Sequence, residues 1–369
     1  MYDNKKKILL MLLIITLLFS LFTVYIYSFG SLSVSAKSAL LYEPTNDTVL
    51  YSKNPHKRMG MASTTKIMSA VCALENSDPE KIVEIDERAV GIEGSSIYLE
   101  KGEQFKMLDL IYALMLQSAN DAAVAISYEI AGGVDEFAAL MNEKACELGL
   151  SDTHFTNPHG LDDKEHYTTA YDLAKITAYA LENPIFKEIV STYKYEIQSS
   201  LKSRILVNHN KLLNSYDGAI GVKTGFTKKS GRSLVGASER DGIRLISVTI
   251  NAPDDWRDHK AMLDYGYMRL ERVCLANVGE FSYNLPVLSS ESEQLRVENR
   301  EELSKILPKS RGKTDVKVFL PSYVVAPIKR GDTVGKVCFY INGKEIGSVD
   351  LIASLDIEKN SERDLFPFF

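Results

Sequence analysis

The sequence predicts an α+β chain: an antiparallel sheet packed with helices, followed by a small all-β C-terminal domain. Three observations carry this. Strand-like alternation opens the chain at residues 38–51 and returns at 219–251. The stretch between them has helical apolar spacing. The last third alternates with period two between turn residues. Strands from both ends of a helical middle imply one sheet assembled from distant segments and packed against helices.

The elements follow in order. Lys5-Lys6-Lys7 precede an almost unbroken apolar run from Ile8 to about Phe29, and Val34-Ser35-Ala36 offers small residues for a signal peptidase. Residues 1–36 therefore read as an export signal, with cleavage expected after Ala36. The run is also long enough to remain as an uncleaved anchor at about 20 residues. Either outcome puts the bulk of the chain outside the cytoplasm, in the cell envelope, with the lysines inside. Residues 38–51, turning at Asn46-Asp47, read as a β-hairpin. Helices are expected from Ala62, then at about 107–117, 121–130, 134–148 and 169–181, strands at 219–224, 233–238 and 244–251, and a helix at about 257–267. These elements form a main domain over 37–274. A small β-sandwich-like domain over 275–355 follows, with strands at 295–298, 316–320, 334–341 and 345–352 and a two-residue Asn342-Gly343 turn. Residues 356–369 are a polar tail, too short and too mixed in charge for a membrane-lying helix.

Composition narrows the partners. Of 369 residues 45% are hydrophobic and 25% charged, and the net charge of −6 comes without a large basic block, which excludes a nucleic-acid binder. The four cysteines, Cys72, Cys146, Cys274 and Cys338, form no Cys-x-x-Cys pair. That pattern argues against a zinc site or a dense disulfide framework and reads as mostly buried thiols.

Chemistry is carried by three short motifs in one order: Ser63-Thr64-Thr65-Lys66, then Ser118-Ala119-Asn120 55 residues on, then Lys223-Thr224-Gly225 after another 105. Ser-x-x-Lys recurs at Ser191, Ser199 and Ser310, and Ser-x-Asn at Ser52 and Ser282, so only Lys-Thr-Gly is unique. Taken alone, Ser63 would be a helix N-cap, Ser118 and Asn120 turn residues, and Lys223-Thr224-Gly225 a strand end. Together, behind an export signal, they describe serine acyl transfer without histidine. A serine hydroxyl is a poor nucleophile at neutral pH and needs a base and a place for the oxyanion. Lys66, one helical turn on, reaches the Ser63 hydroxyl if its amine is neutral, which burial and a second cation, Lys223, would favour. Ser118 supplies a second hydroxyl for proton relay, and Asn120 an amide to hold substrate or Lys66. Lys223 and Thr224 end a strand where an extended substrate can add, with Gly225 allowing its backbone close approach.

These motifs resemble those of the penicillin-recognising serine enzymes. Within that group the chain is similar to the low-molecular-mass penicillin-binding proteins that act as D-alanyl-D-alanine carboxypeptidases. The likeness runs through Leu116-Gln117-Ser118-Ala119-Asn120-Asp121-Ala122-Ala123, Asn157-Pro158-His159-Gly160-Leu161-Asp162, Tyr171-Asp172-Leu173-Ala174 and Gly221-Val222-Lys223-Thr224-Gly225-Phe226-Thr227, and covers nearly all of residues 37–355. It implies a serine β-lactamase/transpeptidase-like domain with a small β domain behind it. It implies Ser63 as nucleophile, Lys66 as base and Ser118 and Asn120 as proton relay and amide contact. Lys223, Thr224 and Arg257 would meet the substrate carboxylate, and backbone N–H groups of Ser63 and Phe226 would form the oxyanion hole. Phe226 stands where some relatives carry a histidine, and His159 reads as structural. The implied reaction removes the terminal D-alanine of a peptidoglycan stem pentapeptide with no metal or organic cofactor, and β-lactams would acylate the same serine. A serine β-lactamase shares the trio, but no Glu-x-x-Leu-Asn stretch lies between the second and third motifs to supply its deacylating base. A non-catalytic cell-wall-binding module is a further alternative, and an endopeptidase or transpeptidase would use the same residues.

Overall fold

The computed structural model describes Met11, Thr16 and residues 32–360. The rest of the predicted export segment up to residue 31, and the tail beyond 360, lie outside the described residues. Among those described, no helix is long and apolar enough to cross a membrane. Two compact units emerge: one holds Arg244–Gly266 with the chain before Asp241, the other Asp241–Ile243 with the chain from Tyr267 onward.

The first unit is built on a five-stranded sheet. β1 (Ser38–Glu43) and β2 (Thr48–Lys53) form the expected hairpin. Two short pairs that the alternation did not reveal follow, β3 (Ile82–Glu84) with β4 (Gln104–Lys106) and β5 (Lys194–Gln198) with β6 (Ser203–Val207). β7 (Ala219–Thr227), β8 (Gly231–Arg240) and β9 (Ile243–Ile250) complete the sheet in the order β2-β1-β9-β8-β7. β1 pairs antiparallel with both β2 and β9, which joins the start of the domain to its end. Alternation in β1 predicts one solvated face, yet all six of its residues are buried, because it lies inside the sheet with apolar cover on both faces. Leu40 belongs to the helical core, while Leu41 packs beside Gly266, where an added Cβ would lie 3.1 Å away.

Among the described residues from Leu32 on, eight helices accompany this sheet: α1 (Lys66–Asn76), α2 (Met107–Leu116), α3 (Asn120–Ala131), α4 (Val134–Glu147), α5 (Ala170–Ala180), α6 (Pro184–Ser191), the single turn α7 (Leu212–Ser215), and α8 (Asp255–Arg269). α6 and α7 were not expected. α6 carries clear local signals, Pro184 at its first position and an Asn183 side chain accepting from the Ile185 and Phe186 N–H groups. α1 is buried continuously from Lys66 to Ala73, which its small residues Ser69, Ala70, Cys72 and Ala73 permit.

The second unit is all β: β10 (Leu270–Ala276), β11 (Ser282–Leu288), β12 (Gln294–Glu298), β13 (Leu303–Pro308), β14 (Thr314–Phe319), β15 (Val324–Val325), β16 (Thr333–Ile341) and β17 (Lys344–Ala353). Six form a sheet in the order β14-β16-β17-β12-β11-β15, and β10 pairs with β13. Leu295, Val297, Val337, Phe339, Leu351 and Ala353 fill its core. The Asn342-Gly343 turn has positive φ at both residues, 52° and 79°, as the hairpin requires. One expectation fails here: Cys72 and Cys338 are buried, but Cys146 and Cys274 are exposed, so only half of the thiols are core groups.

The segment read as a cleavage site is part of the first unit. Val34 and Ala36 are buried, and the Ser35 N–H and hydroxyl and the Ala36 N–H all donate to Asp258 Oδ2, at 2.8, 2.6 and 3.2 Å. Asp258 is itself 1% exposed, so a chain starting at Lys37 leaves a buried carboxylate oxygen without its donors. Such a chain is expected to be about 1–3 kcal/mol less stable than one starting at Leu32. Urea melts of the two proteins measure this, and coincident midpoints would show the contacts to be immaterial.

Candidate active site

Ser63 lies in a 3₁₀ turn, Ala62–Thr65, that runs directly into α1. The turn is pinned by its neighbours: Thr64 Oγ1 donates to the Met61 carbonyl (2.6 Å), Thr65 Oγ1 to the Ala62 carbonyl (2.8 Å), and His166 Nε2 lies 2.7 Å from Thr65 Oγ1. Ser63 is not a helix cap; neither Met61 nor Thr65, the residues at the two cap positions, caps through its side chain. Its hydroxyl instead faces the Lys66 amine.

Lys66 is fully buried, and its Nζ donates to Asn120 Oδ1 (2.7 Å) and the His159 carbonyl (2.6 Å) and lies 3.2 Å from Ser63 Oγ. Burial, then the charge of Lys223, push its pKa well below that of a free lysine, with Asp121 opposing. A neutral amine has two N–H donors and one lone pair. The two shorter contacts take the donors, which leaves the lone pair for the Ser63 proton.

Each acceptor is held by its own local structure. Asn120 opens α3; its Nδ2 donates to the Glu93 carbonyl (2.6 Å) and its backbone N–H to that of Ser95 (2.7 Å), so the amide orients Lys66 and fastens the 93–95 segment. Asp121, fully buried, accepts from Ser96 Oγ and the Ile97, Leu99 and Ala122 N–H groups and anchors the same segment. His159 contributes its carbonyl rather than its ring. Burial and the Lys66 charge lower the imidazole to about 3, so the ring is neutral at physiological pH, and Nδ1 accepts from the Leu161 N–H at 3.2 Å. Gly160 follows with φ +89°, where a Cβ would sit 2.0 Å from the Ala62 carbonyl oxygen.

Ser118 occupies the connection between α2 and α3 in a left-handed conformation, φ +60°, unusual outside glycine. Lys223, on β7, is 1% exposed, and burial lowers its pKa to about 7. Gly225 lies against the nucleophile turn: a Cβ there would be 3.1 Å from both Ser63 N and the Met61 carbonyl. The glycine thus has a second reason beside the expected one: it also admits the backbone of Ser63 itself, setting the Ser63 turn against β7.

A cavity of about 350 Å³ opens over these groups, lined by Ser63, Ser118, Thr224, Gly225 and Phe226 from the motifs, and also by Ser95, His209, Lys211, Arg232, Asp255 and Trp256. Lys66, Asn120 and Lys223 are buried outside this lining. Phe226 projects into solvent at 64% exposure. Arg257 is not brought to the cavity; its side chain is 69% exposed and paired with Asp254 at 3.1 Å. The guanidinium lining the cavity is Arg232, held by Asp255. Ser95, His209, Lys211, Arg232, Asp255 and Trp256 belong to none of the motifs, so spacing alone does not point to them. Among the described residues no His/Cys/Asp/Glu group is arranged to hold a metal ion.

A serine addressed by a buried lysine amine, at the edge strand of a sheet covered by helices, defines a lysine-assisted serine hydrolase. The chain belongs to the D-alanyl-D-alanine carboxypeptidase family Peptidase_S11, whose profile matches residues 27–254, and the profile of the penicillin-binding protein 5 C-terminal domain matches 275–359. It is 32% identical to the D-alanyl-D-alanine carboxypeptidase DacF of Bacillus subtilis over 89% of this chain and 88% of that one. Among solved structures it is similar to penicillin binding protein 5 of Haemophilus influenzae (27% identity, TM-score 0.65, covering 89% and 98% of the two chains). It is also similar to the D-alanyl-D-alanine carboxypeptidase DacD of Francisella tularensis (25%, TM-score 0.65, 89% and 95%).

Proposed function

We propose that the enzyme removes the terminal D-alanine from peptidoglycan stem pentapeptides through an acyl-enzyme on Ser63. The observation that carries this is the buried Lys66 amine, whose two shortest contacts leave its lone pair to Ser63 Oγ. Lys66 takes the hydroxyl proton as Ser63 Oγ attacks the carbonyl of the penultimate D-alanine. The oxyanion is received by the Ser63 and Phe226 N–H groups; in support, Ser63 N lies against Gly225, the residue before Phe226. Collapse breaks the peptide bond, and the proton passes from Lys66, with Ser118 as relay, to the departing D-alanine nitrogen. Water then attacks the ester, Lys66 taking its proton, and Ser63 Oγ leaves protonated. Lys223 and Thr224 meet the carboxylate end of the peptide, while Arg257 reaches it only if its side chain leaves Asp254. β-Lactams acylate the same serine. The site works outside the cytoplasm in the cell envelope, on the secreted chain or one held by its N-terminal segment.

The test is D-alanine release from a pentapeptide ending in D-Ala-D-Ala, using the chain from Leu32 and a Ser63→Ala control. Release is expected to fall by at least about 10⁴-fold in the control. Undiminished release from Ser63→Ala, or none from the folded parent, would overturn the reading.

A further inference from the structure

The cavity over Ser63 has to recognise a peptide that ends in a carboxylate, and four cationic groups are candidates: Lys223, Lys211, Arg257 and Arg232. Lys223 sits beneath the site, 1% exposed. Arg257 stands outside the lining, turned to Asp254. Lys211 lines the cavity but is exposed, a flexible chain that loses its rotamer freedom on binding. Arg232 differs from all three. It faces Phe226 directly across the β7/β8 pair, and Thr224 lies two residues before Phe226 on the same face of β7. Its guanidinium is fixed in advance: Nε and Nη2 donate to the two oxygens of Asp255 at 3.0 Å each. Two of its five N–H groups are used there, and the side chain is still 44% exposed. Asp255 is only 4% exposed, and Oδ1 also accepts the Trp256 N–H at 2.9 Å, so both of its oxygens are engaged.

We infer that Arg232, braced by Asp255, receives the terminal carboxylate of the substrate beside Thr224. Resting on the carboxypeptidase reading above, this places the requirement for a free C-terminus on β8 and not on α8. A planar, pre-positioned guanidinium binds a carboxylate through paired N–H···O contacts with less loss of freedom than an exposed lysine. Asp255 acts as a positioning residue, reaching the substrate only through Arg232.

The experiment compares kcat and KM on an acylated peptide ending in D-Ala-D-Ala and on its C-terminal amide, for the parent and for Arg232→Met, Lys211→Met and Arg257→Met. The parent is expected to prefer the free acid. Arg232→Met is expected to lose about 10–100-fold in kcat/KM on the acid, mostly through KM, with the amide within about 3-fold of the parent. Arg232→Lys restores part of the acid preference, and the other two variants keep it. An equal loss on both substrates in Arg232→Met would mark a purely structural role. Collapse of the preference in Lys211→Met or Arg257→Met would move recognition to that residue, and a parent with no preference would remove the premise. Each of these outcomes overturns the assignment while leaving the activity standing; a parent that releases D-alanine from neither peptide overturns both.

Discussion

Lys66→Met is expected to slow acylation of Ser63 by about 10²–10⁴-fold, the contribution of a positioned general base. Methionine nearly conserves length but offers neither lone pair nor donor, so Asn120 Oδ1 and the His159 carbonyl lose a partner each. A stability loss of about 1–3 kcal/mol per orphaned acceptor accompanies the change, and the rate is therefore measured per folded molecule with a fluorescent penicillin below the unfolding transition. With Lys66 as the proposed base, the neutral amine is the competent form, and the acylation rate is expected to rise with pH along an ionisation well below 10.5. Lys223 gives the opposite sign. Its cation is lost as pH rises through about 7, so KM for a carboxylate-ending peptide increases above that point. In Lys223→Met the KM rise disappears. An acylation limb near pH 10 in the parent would contradict the lowered Lys66 pKa.

Gly160→Ala is expected to cost about 2–4 kcal/mol and to cut acylation about 100-fold, although residue 160 carries no reacting group. The cost has two parts. An L-residue at φ +89° is strained by about 1 kcal/mol. The new methyl would also stand 2.0 Å from the Ala62 carbonyl oxygen and 2.4 Å from its carbon, and relieving this overlap costs about 1–3 kcal/mol more. The loop has to retreat from the Ser63 turn, and the His159 carbonyl retreats from Lys66 with it. Gly102→Ala separates the two parts, since φ is +76° there and a Cβ meets nothing within 4 Å. Urea melts should show a loss near 1 kcal/mol for Gly102→Ala and the larger loss for Gly160→Ala. Equal losses would mean that strain alone, and not the clash, governs position 160.

The helices around the motifs were legible because their apolar spacing agrees with their burial: α2, α3, α4 and α5 lie within a residue or two of the expected ranges. The β5/β6 pair and α6 lie outside the expected elements: Lys194–Gln198 and Ser203–Val207 each bury one residue, so the alternation they carry is short and weakly apolar. In the site, spacing reveals that Ser63 and Lys66 share a helical face, and the second lysine, Lys223, is legible as a cation that lowers Lys66. What spacing does not contain is the third dimension. That the His159 backbone carbonyl serves Lys66, that Gly225 lies against the Ser63 backbone, and that Arg232 lines the cavity while Arg257 faces Asp254 all follow from packing between segments remote in sequence.

The three partners of Lys66 come from three separate stretches of chain: the turn before α1, the start of α3, and the loop ending at Gly160. The amine is correctly poised only when all three have docked. Covalent labelling of Ser63 by a penicillin is thereby a conformational assay: counted per chain during refolding, it reports assembly of the finished domain and stays silent for any species in which a single one of these stretches is out of place.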